Sequence, residues 1–180
     1  FGMASLVGPD RCAVMGAKRK AVFLDRDGVQ NRERGEHTWR LEDFEVLERV
    51  PETLAALQKA GWLLIVVSNQ SGIGLGLYGH AEVEVLHAYL HDRLAEKGVV
   101  LDAVYYCPHH PTYGRCLCRK PGSLLLEKAI ARFGVDPAVS VFIGDRERDA
   151  QAAVAAGVRP ILVASNVLLK DVVDQNEILA

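Results

Sequence analysis

Five short apolar runs recur along this chain with helix-patterned segments between them, and that alternation most constrains what it can fold into. The runs are Ala21–Leu24, Leu63–Val67, Ala103–Tyr106, Val141–Ile143 and Ile161–Val163, rich in Val, Ile and aromatic residues as buried strands are. Between them, "PETLAALQKAG" opens with a proline suited to a first helical turn and closes on Gly61. "AEVEVLHAYLHDRLAEKG" sets Val83, Leu86, Leu90 and Leu94 at the three-four spacing of one buried stripe. "SLLLEKAIARFG" and "RDAQAAVAAG" end the same way, on Gly134 and Gly157. A strand that must return parallel to its predecessor needs a crossover, so the pattern predicts an α/β fold: a doubly wound, Rossmann-like parallel sheet covered by helices on both faces.

At 180 residues the chain suits one domain, with no repeat and no low-complexity tract. Residues 1–19 read as an N-terminal extension or an expression remnant, with the natural start at Met3 or Met15. Residues 20–180 read as the single domain, with one peripheral helix after Asn166. The formal net charge of −2 gives no pull toward nucleic acid or an anionic membrane, and no apolar stretch approaches the length of a membrane span. A secretory pattern is missing from the first residues, so a cytoplasmic address is expected. The oligomeric state is left open, with a monomer the default.

Ligands of such sheets bind at the carboxyl ends of the strands, where the strand order reverses. Four of the five strands end there in polar residues or cysteine: Asp25, Ser68-Asn69-Gln70, Cys107 and Gly144-Asp145. In "AVFLDRDGVQN" the period of two puts Asp25 and Asp27 on one side and Arg26 on the other, if the extended geometry persists. Two adjacent carboxylates repel unless a positive charge sits between them, and a divalent cation is the usual one. A simple Asp-Gly turn is the competing reading of that fragment.

A second cluster lies in "CPHHPTYGRCLC", where Cys107, Cys116 and Cys118 accompany His109 and His110, with Cys12 far off. Three thiolates and one imidazole make a tetrahedral zinc set. A disulfide is the weaker reading, because Cys116 and Cys118 are too close to pair comfortably.

In that order at strand ends, "DRDG", "SNQSGIG", Lys120 of "CRKPG" and "GDRERD" resemble the four motifs of the haloacid dehalogenase superfamily of aspartate-dependent phosphohydrolases. The resemblance spans Ala21 to about Ser165. "CPHH…CLCRKP" beside "SNQSGI" resembles its zinc-containing branch, which holds heptose bisphosphate and histidinol-phosphate phosphatases. The resemblance implies a magnesium-dependent phosphatase with no cap domain over its site. Asp25 would attack phosphorus and form an aspartyl-phosphate, and Asp27 would serve as general acid and then base. Magnesium (Mg2+) would be held by the Asp25 and Asp145 carboxylates and the Asp27 main-chain carbonyl, with Asp149 orienting a bound water. Ser68, Lys120 and the "SGIG" amides would grip the phosphate, with Asn69 and Arg119 as substrate contacts. The branch places its histidine two positions after the first cysteine. The implied zinc (Zn2+) ligands are therefore Cys107, His109, Cys116 and Cys118, and the ion is structural.

Departures touch specificity. Leu75 in "GIGLG" stands where heptose phosphatases show arginine, Gln30 where an apolar residue is common, and Arg146 where lysine is common. Ser71 in "NQSG" sides with the heptose enzymes, since the histidinol-phosphate relatives carry "NQDG". The expected substrate is a sugar phosphate, D-glycero-D-manno-heptose 1,7-bisphosphate ahead of histidinol phosphate. A catalytically silent zinc-containing binding module is the reading from another class. A thiol enzyme using the Cys116-x-Cys118 pair and a nucleic-acid binder have less support.

Overall fold

The computed structural model describes residues 4–5 and 18–179. Cys12 lies outside them. Strands β1 (Ala4–Ser5), β2 (Ala21–Leu24), β3 (Leu63–Asn69), β4 (Ala103–Cys107), β5 (Val141–Gly144) and β6 (Arg159–Leu162) form one sheet in the order β1-β4-β3-β2-β5-β6. The five strands from β2 to β6 pair in parallel, and β1 joins the edge antiparallel to β4. Helices α1 (Val50–Lys59), α2 (His80–Ala95), α3 (Leu124–Phe133), α4 (Glu147–Ala155) and α5 (Leu169–Gln175) make the connections and the C-terminal cover.

Alternation along each strand divides the core in two. Val22, Leu24, Leu64, Val66, Val104 and Ile143 pack one face against α1, α2 and α5. Ala21, Phe23, Ile65, Val67, Ala103 and Phe142 pack the other against α3 and α4. The α2 stripe is buried at Val83, Leu86, Leu90 and Leu94, as its spacing predicts, and His87 is buried with it.

Two differences from the sequence reading have physical causes. The last strand begins at Arg159 rather than Ile161 and takes in Pro160. It lies at the edge of the sheet, where a residue without an N–H is tolerated. Residues 4–5, read as outside the fold, pair with Tyr105 and Val104; two residues carry no periodicity from which pairing could be read.

The chain runs from β2 through β3 to β4 on one side, then crosses to β5 and β6 on the other. The order therefore reverses at β2 and β5, and the loops leaving those strands carry Asp25 and Asp145. No second domain is inserted among the described residues, and no helix among them is long and apolar enough to cross a membrane.

Candidate active site

The side chains at the strand tips converge on Lys120. Its ammonium is buried and donates to the Val67 carbonyl at 2.8 Å. It lies 2.9 Å from Asp25 Oδ1 and 2.8 Å from Asp149 Oδ1. Its charge is thereby paired with two carboxylates away from water, so the lysine is not a solvated surface charge. Lys120 is also held through its backbone. The Asn69 side chain donates to the Lys120 carbonyl and accepts from its N–H, both at 3.1 Å. Asn69, expected to touch substrate, spends its amide on this clamp.

Asp25 is buried just beyond β2, where its Oδ1 also accepts the Arg26 N–H at 2.7 Å. Both contacts fall on Oδ1, and Oδ2 makes none among the described residues. Burial pushes its pKa up to about 7, with Lys120 opposing and Asp149 adding to the rise. Asp145, half-buried after β5, is raised by burial as well, against the Ser165 hydroxyl and Arg146.

Asp25, Asp145 and Asp149 offer carboxylate oxygens that all lie within 4.8 Å of one another. Three carboxylates around one ammonium leave a negative excess, and an all-oxygen set suits magnesium. Glycine permits the approach. At Gly28, with φ +84°, a Cβ would fall 2.3 Å from Asp145 Oδ2. At Gly144 a Cβ would fall 2.4 Å from the Asp149 Cβ. The motif glycines are thus spaces occupied by the acids.

Asp27 departs from the expected alternation. The strand ends at Leu24 and the chain turns, so the Asp27 carboxylate does not join the acidic cluster. Arg26 Nη2 instead donates to both its oxygens at 3.0 Å, and Asn31 donates to Oδ1 at 2.9 Å. Burial pushes the Asp27 pKa up, but Arg26, Asn31 and Gln70 outweigh it and hold the carboxyl low. Arg26 itself is fully buried beneath the loop, donating to the Thr38 carbonyl.

Ser68 is buried on β3, and its hydroxyl accepts from Gln70 at 2.8 Å. Gln70, Arg26 and the Lys120–Asp149 pairing are the features that the sequence reading left without a role. Their signal was adjacency to motif residues, which does not tell which side chain turns inward. Arg119 is half-buried beside Lys120 and donates to the His109 carbonyl at 3.3 Å. Burial, then the nearby Arg148 guanidinium, lowers its pKa.

Next to this site, Cys107, His109, Cys116 and Cys118 close on one another. Cys107 Sγ is 3.2 Å from Cys118 Sγ and 3.6 Å from Cys116 Sγ, and His109 Nδ1 is 3.3 Å from Cys118 Sγ. Thiolates about 2.3 Å from a tetrahedral zinc stand roughly 3.8 Å apart, so this set fits the ion closely. The three thiols are free rather than bridged. His110 turns elsewhere, its Nδ1 accepting the Thr112 N–H at 3.2 Å.

A parallel α/β sheet whose reversal point holds a buried aspartate, its lysine and two further aspartates defines a hydrolase of the haloacid dehalogenase-like class. A family model described as HAD-hydrolase-like matches residues 117–178. The D-glycero-beta-D-manno-heptose-1,7-bisphosphate 7-phosphatase of Vibrio cholerae is 41% identical over 90% of this chain and 89% of that one. Its counterpart from Haemophilus ducreyi is 42% identical over 78% of this chain and 80% of its own. The crystal structure of D,D-heptose 1,7-bisphosphate phosphatase from B. bronchiseptica, complexed with magnesium and phosphate, superposes with a TM-score of 0.77 at 36% identity. That match covers 87% of this chain and 86% of the other. This chain belongs to the heptose bisphosphate phosphatase family of haloacid dehalogenase-like hydrolases, and it is a phosphoric monoester hydrolase.

Proposed function

We propose that this enzyme hydrolyses a phosphate monoester of a sugar phosphate, D-glycero-D-manno-heptose 1,7-bisphosphate first among candidates, through an aspartyl-phosphate on Asp25. The observation that carries this reading is the buried Asp25 with Oδ1 tied to Lys120 and Oδ2 uncommitted. A nucleophile must be held still with one oxygen free to attack in line. Lys120 does the holding, and its charge is also placed to offset the charge on the phosphoryl oxygens.

Asp25 Oδ2 forms a bond to phosphorus as the bond to the sugar oxygen breaks; Asp27, ionised in the free site, takes up the proton that a phosphate monoester monoanion brings and gives it to that oxygen. In the second half-reaction Asp27 takes a proton from the attacking water, and the Asp25 carboxylate is regenerated with release of phosphate. Ser68 and the amides of Ser71 and Gly72 grip the phosphoryl oxygens, whereas Ile73 and Gly74, expected to share in this, donate instead to the Gln70 and Pro108 carbonyls at 3.3 and 2.9 Å. Asp25, Asp145 and the Asp27 carbonyl would hold magnesium, which supplies charge neutralisation between carboxylate and phosphate when bound. Asp149, bound to Lys120, keeps that ammonium in place. Cys107, His109, Cys116 and Cys118 would hold a structural zinc, since four protein ligands leave no open position for chemistry. That ion fixes the segment from which Arg119 and Lys120 follow directly, with Arg119 placed to meet a second polar group of the substrate.

The relatives named for heptose bisphosphate favour that substrate, against the arginine-to-leucine change at Leu75, which is partly exposed. The test measures phosphate release, with magnesium, from D-glycero-D-manno-heptose 1,7-bisphosphate and from histidinol phosphate. A kcat/KM preference of about a hundredfold for the heptose, roughly 2.7 kcal/mol of transition-state discrimination, is expected. A reversed preference transfers the assignment to histidinol phosphate. Absence of turnover on any ester favours a silent binding module.

A further inference from the structure

One amide joins the two groups that must act on the same phosphorus. Gln70 Nε2 donates to Ser68 Oγ at 2.8 Å and to Asp27 Oδ2 at 3.2 Å, using both of its N–H groups. Its Oε1 accepts the Tyr78 hydroxyl at 3.1 Å. Gln70, Ser68 and Tyr78 are all buried. The Asp27 carboxylate, an acceptor only, fixes which way the amide points, and the phenol meets the oxygen left on the other side. Turned over, Gln70 would set its carbonyl oxygen against the Asp27 carboxylate, which offers no donor while ionised. Tyr78 is held in turn by its surroundings. The Trp39 ring stacks on it with centroids 6.1 Å apart and planes 14° from parallel, and Val83 and Tyr106 pack around it. Trp39 belongs to the loop after the first motif and Tyr78 to the segment entering α2, so the stack clips both loops over the amide.

The chemistry gives this bridge a purpose. The phosphoryl oxygen that Ser68 would grip and the leaving oxygen that Asp27 would protonate are bonded to one phosphorus. Their separation is fixed by the substrate, and the protein must match it to a few tenths of an ångström. Arg26 and Asn31 hold Asp27 from the loop that carries it, whereas Gln70 alone among the described residues ties it to the Ser68 strand. Resting on the phosphatase reading above, we infer that Gln70 is a positioning residue that sets general acid against phosphate grip, with Tyr78 anchoring its carbonyl oxygen.

The test exploits the leaving group. A sugar hydroxylate leaves only with a proton, while 4-nitrophenolate leaves without one. The kcat/KM reports the steps through transfer to Asp25, which is where the acid acts. Gln70→Met keeps the volume and removes the amide, and Tyr78→Phe removes only the hydroxyl. With D-glycero-D-manno-heptose 1,7-bisphosphate and magnesium, Gln70→Met is expected to lose about thirtyfold and Tyr78→Phe about fivefold in kcat/KM. With 4-nitrophenyl phosphate, Tyr78→Phe stays within about twofold of wild type and Gln70→Met within about threefold. Equal losses on both esters mean a merely structural role, and no loss on either means that Asp27 needs no such tie. Both outcomes overturn the inference. If Gln70→Met does not fold, Tyr78→Phe decides the matter alone. A wild-type enzyme that cleaves neither ester counts against the phosphatase reading itself, so the two failures are distinct.

Discussion

Lys120 shows most plainly how single residues set this site. A lysine is ordinarily exposed, and burying its charge is tolerable here only because two carboxylates pair with it and the Val67 carbonyl accepts one of its protons. Removing one partner from such a cluster costs more than the pair contributes, because the charges left behind are stranded away from water. Lys120→Met is expected to destabilise the metal-free protein by about 3 kcal/mol. It should also lower kcat/KM by at least about a hundredfold. Urea unfolding in EDTA and phosphate release with magnesium measure the two effects. An unchanged urea midpoint would show that the ammonium does not hold Asp25 and Asp149 as described.

At the scale of elements, α2 carries a cost on its buried stripe. His87 lies among leucines with both ring nitrogens unpartnered among the described residues, its ring edge-on to Tyr106 at 5.5 Å. Burial pushes its pKa from 6.5 down to about 3, with the Arg26 guanidinium adding to the fall and Asp27 opposing it. The folded protein thus holds His87 neutral where the unfolded chain protonates it. The contribution to stability is full above pH 6.5 and is lost as the pH falls toward 3. Between pH 7 and pH 4 the wild type should lose roughly 3 kcal/mol more than His87→Leu. Urea midpoints across that range measure the difference, and parallel profiles for the two proteins would refute it. The leucine variant should be the more stable at every pH, because it buries no unpaired nitrogen.

For the molecule as a whole, the two core clusters pack the faces of the sheet, and the cysteine cluster starts at the last residue of β4. Losing a structural ion there should loosen the loop at residues 107–118 without unfolding the sheet. As purified, the protein should carry one zinc by elemental analysis. Chelation should lower Tm by roughly 10 °C. The far-UV spectrum should be retained, and trypsin should gain access at Arg115. Magnesium alone should then fail to restore full activity, since Arg119 and Lys120 directly follow Cys118. A chelated protein that unfolds completely, or one that keeps its Tm and full activity, would contradict this division of labour.

The alternation of apolar runs with three-four stripes was enough to define a doubly wound sheet. The residues at its strand tips were enough to carry the resemblance to a phosphohydrolase family, because each of its motifs is a local pattern. Boundaries at the edges were not local. Pro160 enters β6 because no strand among the described residues lies beyond it, and Ala4–Ser5 become a strand by pairing with β4. The directions of side chains were not local either. Extended geometry predicted Asp25 and Asp27 side by side, but β2 ends at Leu24, and the turn delivers Asp27 to Arg26. Asn69 clamps the Lys120 backbone and Gln70 reaches Asp27 because Lys120 and Asp27 lie 51 and 43 residues away in the chain. Sequence determined which chemistry was present; the tertiary structure decided which atom each group could reach, since hydrogen bonds are settled by distances that only packing imposes.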